Sequence, residues 1–67
     1  MSEEPLKNRH VIFEFIPVGS YMRVSAMDTA TLTEITISGP VNTPESTLKH
    51  NALKRLEYVM KKKGILA

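Results

Sequence analysis

The chain has no cysteine among its 67 residues, which excludes disulfides and thiolate metal sites and fits a reducing, cytoplasmic setting. No stretch is long and apolar enough to cross a bilayer, and the opening MSEEPLKNRH lacks the apolar core of a secretory signal. A soluble, intracellular protein without a membrane role is the expectation. Glycine is scarce too. Gly19, Gly39 and Gly64 stand far apart, so there is no glycine-rich loop to cradle a phosphate. The two histidines, His10 and His50, have no serine, cysteine or acid at an activating spacing and cannot by themselves make a zinc site. The formal charge of +2 is too small to argue for nucleic acid unless the cations cluster. A chain this short also buries a modest fraction of its surface, and with the usual staples absent, self-association is the remaining way to add burial.

What is present is alternation. Residues 1–8 are polar and aperiodic and read as a disordered arm, leaving 9–67 as one domain. From His10, Val11, Phe13 and Phe15 fall on one side of an extended chain and Ile12, Glu14 and Ile16 on the other, until Pro17 stops the run. Pro17-Val18-Gly19-Ser20 is turn chemistry. A second run follows, with Met22, Val24 and Ala26 on one side and Tyr21, Arg23, Ser25 and Met27 on the other. A loop of Val18-Gly19 or of Pro17 to Ser20 gives the same register. It places Phe15 opposite Met22, Phe13 opposite Val24, Val11 opposite Ala26, Glu14 opposite Arg23 and Ile16 opposite Tyr21. Asp28 to Thr31 reads as the next turn, with Asp28 bonding to backbone two residues on. Thr33, Ile35 and Ile37 then alternate with Glu34, Thr36 and Ser38 until Gly39-Pro40 breaks the strand.

Thr43-Pro44-Glu45 has the composition of a helix start: an N-cap oxygen, a proline at N1 and an acid near the positive end. At 100° per residue, Leu48, Val59, Ala52, Leu56, Met60 and Leu53 share an arc of about 140°. Lys61 to Lys63 suit the last turn, and Gly64 with Ile65 has the form of a Schellman end. A helix over 44–63 is therefore expected. The fold class is α+β, a three-stranded antiparallel meander with one C-terminal amphipathic helix on the face made by Val11, Phe13, Phe15, Met22, Val24, Ala26, Ile35 and Ile37.

Four segments, Phe13-Glu14-Phe15, Val24-Ser25-Ala26-Met27-Asp28, Ile37-Ser38-Gly39-Pro40 and Ala52-Leu53-Lys54-Arg55-Leu56-Glu57-Tyr58-Val59, resemble a family of short bacterial proteins described as a domain of unknown function. The resemblance covers about Arg9 to Lys63 and implies no activity, cofactor or functional residue. The chain departs from the family pattern at Leu32, where a glycine is common in the second turn, which leaves the placement of that turn open.

Two surfaces invite a partner. Ile12, Glu14, Ile16, Tyr21, Arg23 and Met27 point away from the helix, and the patch of Ile12, Ile16 and Tyr21 suits a second copy, either sheet against sheet or edge to edge through the first strand. On the helix, His50, Lys54, Tyr58 and Lys62 follow at i, i+4 with Arg55 and Lys61 alongside, a display of ring and cations that a nucleic acid or an acidic protein could use. The plainer account of those lysines is solubility and dipole capping, and it is preferred. Glu14, Asp28 and Glu34 are the acids of the sheet region. Glu14 is explained by Arg23 and Asp28 by its turn, and three strands and one helix offer little room for a substrate pocket. The expected protein is a non-enzymatic interaction module without cofactor, metal or small-molecule ligand, dimerising or binding another protein, with nucleic acid as the alternative.

Overall fold

A computed structural model describes residues 9–66; the expected arm over 1–8 lies outside them. Strands β1 (Val11–Val18), β2 (Tyr21–Asp28) and β3 (Thr33–Pro40) form one antiparallel sheet in the order β1-β2-β3, and helix α1 (Glu45–Lys62) follows. The meander with a C-terminal helix is the architecture that the alternation and the helical arc predict. The two faces of each strand are also as expected: Val24, Ala26 and Ile35 are buried on the inner face, joined by Leu48, Ala52, Leu56 and Met60 from α1. Fully burying a side chain such as Leu56 or Met60 is worth about 1.5–3 kcal/mol, and the i, i+4 recurrence of the buried helical residues explains why one stripe suffices.

The register of the first hairpin differs from the expectation by two residues. Phe15 lies opposite Val24, Phe13 opposite Ala26, Val11 opposite Asp28, Ile16 opposite Arg23 and Glu14 opposite Ser25. The loop is Gly19-Ser20. Gly19 has φ +60° and no positive φ occurs at Ser20, the signs of a type II′ turn, whose twist matches that of the flanking strands and which requires glycine first. Pro17 therefore does not end β1. It sits inside the strand opposite Met22, tolerated because β1 is an edge and its missing N–H belongs to the unpaired side. Pro40 closes β3, the other edge, in the same way. Because the error is an even number of residues, it moves every cross-strand neighbour and leaves every side chain on its face.

The helix ends also divide. The C-terminus is a complete Schellman motif: the Gly64 N–H donates to Lys61 O, the Ile65 N–H donates to Met60 O at 2.9 Å, and Gly64 has φ +79°. At the N-terminus, Pro44 is the N-cap residue (φ −56°, ψ 140°) rather than N1, and no side chain caps the first turn. The Thr43 hydroxyl does not take the role its identity suggested. Instead the Pro44 carbonyl accepts from the N–H groups of Thr47 and Leu48.

The helix rests on β2 and β3 and leaves β1 at the margin. Consequently Val11, Phe13 and Phe15 are only half-buried, packed against the core from one side. The sequence pattern placed all of them under the helix; the offset of α1 toward β3 corrects that.

Candidate functional site

The outer face of the sheet follows from the register. Ile12, Met27 and Glu34 form one cross-strand row; Glu14, Ser25 and Thr36 the next; then Ile16, Arg23 and Ser38; and finally Val18, Tyr21 and Pro40. The single apolar patch expected from Ile12, Ile16 and Tyr21 is thus divided. Ile12 (55% exposed) pairs with the half-buried Met27 at one end, while Val18 (54%) and Tyr21 (59%) pair at the other, near Ile16. Between them Glu14 and Arg23 are diagonal neighbours, not directly opposed, and no ion pair joins them among the described residues. Val18 joins this face because Pro17 does not end the strand, and the sequence signal for it is Gly-Ser as a two-residue II′ loop.

The inner face carries a polar site that composition alone did not show. Asp28 stands on that face, fully buried, at the end of β2 between Val11 and Thr33. Its Oδ2 accepts from the Thr31 hydroxyl at 2.7 Å, the Thr31 N–H at 3.1 Å and the Arg9 guanidinium at 3.0 Å. The turn role expected for Asp28 is present, but its backbone partner is three residues on rather than two, and Arg9, 19 positions away, shares the carboxylate. The Thr31 hydroxyl bond, followed by the Thr31 N–H and Arg9, holds the Asp28 carboxyl below the usual carboxylate range against the opposing effect of burial. Oδ1 has no hydrogen-bond partner among the described residues. Thr31 and Thr33 share a further hydroxyl contact at 2.8 Å, and the Thr29 N–H and hydroxyl both donate to His10 O, so the stretch before β1 is tied to the second turn. This arrangement holds backbone in place and offers no face to a substrate.

In that turn Leu32 has φ +58° and is 70% exposed. It occupies the one left-handed position of the loop, where glycine fits without strain.

On α1, His50, Lys54, Tyr58 and Lys62 are exposed along one side, with Arg55 and Lys61 flanking. The Tyr58 ring is 51% exposed and has two cations near it: the Arg55 guanidinium carbon lies 5.5 Å from its centroid and the Lys62 ammonium 5.8 Å. Lys61 pairs with Glu57 at 3.0 Å. The exposed aromatic thus stands amid cations, as the spacing along the helix predicts. His10 and His50 lie on separate segments, and among the described residues no cluster of histidine, aspartate and glutamate is arranged to hold a metal. No described helix is long and apolar enough to cross a membrane.

Fold and surfaces together define a small α+β domain with an open three-stranded sheet, one face served by a helix and one strand half covered. The chain belongs to the family described as Domain of unknown function (DUF6898), whose model matches residues 8–63. That span holds all three strands and the whole of α1. Comparisons with curated proteins and with solved structures found no match.

Proposed function

We propose that this protein is a non-enzymatic interaction module that associates with itself through its first hairpin and presents its helix to a further partner. The observation that carries the reading is the half-covered state of Val11, Phe13 and Phe15 on an edge strand, in a chain with no disulfide to compensate for a small core. The outer face, its apolar groups divided by Glu14 and Arg23, supports face-to-face packing less well than the edge does. The measurement is molar mass by light scattering through a dilution series, where a dimer at high micromolar concentration dissociates on dilution. A strictly monomeric chain across that range overturns the reading.

A second reading assigns the outer side of α1 to a polyanion. It is favoured by the concentration of charge: α1 and its last turn carry Lys49, Lys54, Arg55, Lys61, Lys62 and Lys63 against Glu45 and Glu57, of which Glu57 is engaged by Lys61. Such a surface contacts phosphates through its cations, so its binding falls steeply with salt. A mobility shift with single- and double-stranded nucleic acid at low and physiological salt tests it, and no shift at low salt removes it.

A further inference from the structure

We infer that β1 pairs antiparallel with β1 of a second copy about a twofold axis at Phe13, joining the two sheets into one and closing both half-open cores. The inference rests on the proposed self-association and supplies its geometry.

The hydrogen-bond phase comes first. The Thr29 N–H donates to His10 O, and the Val41 N–H donates to Ser20 O. In an antiparallel ladder bonded pairs alternate with unbonded ones, so the first contact assigns the backbone groups of Ile12, Glu14, Ile16 and Val18 to β2. Those of Val11, Phe13 and Phe15 therefore point out of the sheet, together with the carbonyl of Pro17. The second contact turns the backbone of Thr33, Ile35, Ile37 and Gly39 toward β2 and leaves Glu34, Thr36 and Ser38 facing out along β3.

The two edges are unlike. On β3 the residues with free backbone groups carry polar side chains on the solvent face, and Glu34 adds a charge, which guards an edge against pairing. On β1 the same residues carry the half-buried apolar side chains of the inner face. The Phe13 and Phe15 rings lie 6.5 Å apart, and the solvent side of Phe13 is met by the Lys49 ammonium 5.2 Å from its centroid. A strand added at β1 satisfies backbone and side chains at once.

Self-complementarity selects the partner and the register. With the axis at Phe13, Val11 faces Phe15 of the second copy and Phe13 faces Phe13, so every free N–H between Val11 and Phe15 meets a free carbonyl and apolar faces apolar. Ile12 then faces Glu14 of the second copy, and no like charges oppose each other. Moving the axis to Ile12 sets Phe15 against Arg9, whose guanidinium is already engaged by Asp28. Moving it to Glu14 sets Glu14 against itself and Val11 against Pro17, which has no N–H to give. Pro17 thus limits the pairing to the stretch before it.

The absence of cysteine makes the test clean, and Ile12 and Glu14 are exposed enough to replace. Unbonded antiparallel neighbours have Cα atoms about 4.5 Å apart, within the range of a disulfide. Ile12→Cys and Glu14→Cys proteins are mixed, equilibrated and oxidised at high micromolar concentration. An axis at Phe13 predicts that the mixed Ile12→Cys/Glu14→Cys disulfide dominates over either homodimeric one. A dominant homodimeric disulfide in Ile12→Cys or in Glu14→Cys alone overturns the register while leaving self-association standing. A non-crosslinked dimer by light scattering overturns the edge geometry. A monomer in both measurements overturns the inference together with the reading beneath it.

Discussion

Asp28 combines full burial, an ion pair with Arg9 and two bonds from Thr31. Because these contacts hold its carboxyl below the ordinary value near 3.9, the ionised form stabilises the fold at neutral pH. That contribution is fully present above the unfolded-state value and is lost as pH falls through the lowered folded value. Asp28→Asn should therefore melt several degrees below the parent at pH 7, with the gap closing as pH falls through the lowered folded value. Circular dichroism melts across that range check this, and a gap independent of pH would show that the charge is irrelevant. Leu32 gives a prediction of opposite sign. A left-handed conformation costs a residue with a Cβ about 1–2 kcal/mol, whereas glycine adds roughly 0.5–1 kcal/mol of unfolded-state freedom. Since the Leu32 side chain is largely in solvent, Leu32→Gly should gain about 0.5–1 kcal/mol in urea unfolding, and a loss of stability would mean that the side chain has a contact that matters more than its backbone.

The elements differ in how openly their sequences declare them. Gly64 followed by Ile65 predicts the helix end down to its hydrogen bonds, because a left-handed residue and a returning apolar one leave a single local solution. The first hairpin is less explicit: Pro17 and Gly19 each offer a turn, and what separates the choices is that β1 is an edge, where a proline can stay in the strand. The contact between α1 and β3 is not legible at all from periodicity. Gly39 lies where an added Cβ would approach Leu48 Cδ2 to 2.8 Å, so the buried Leu48 side chain fills the space that a side chain on β3 would need at this point. Gly39→Ala should lose about 1–3 kcal/mol through overpacking. In a Leu48→Ala background the obstructing methyl is gone, and the same change should cost less than about 0.5 kcal/mol, a coupling that a double-mutant cycle of urea midpoints reads directly.

For the whole molecule, the offset of α1 decides where partners can act. By covering β2 and β3 it completes a core of Val24, Ala26, Ile35, Leu48, Ala52, Leu56 and Met60, and it leaves β1 as the place where further burial is available. If β1 is covered by a second copy, stability depends on protein concentration by mass action. The melting temperature should then rise steadily from low to high micromolar protein, and one that stays constant over that span opposes self-association.

The sequence by itself determined the element order, the inward and outward side of the alternating residues within each run, the buried stripe of the helix and its C-terminal stop. Each of these depends on a local period or a local backbone preference, which a linear chain records directly. The tertiary structure alone decided which residues stand opposite one another, that Arg9 meets Asp28, and that the helix favours β3 over β1. These are distances between segments remote in the chain. They are set by how side chains of one segment fit against another, as the Leu48 methyl does against Gly39, and so they leave no periodic trace in the residues themselves.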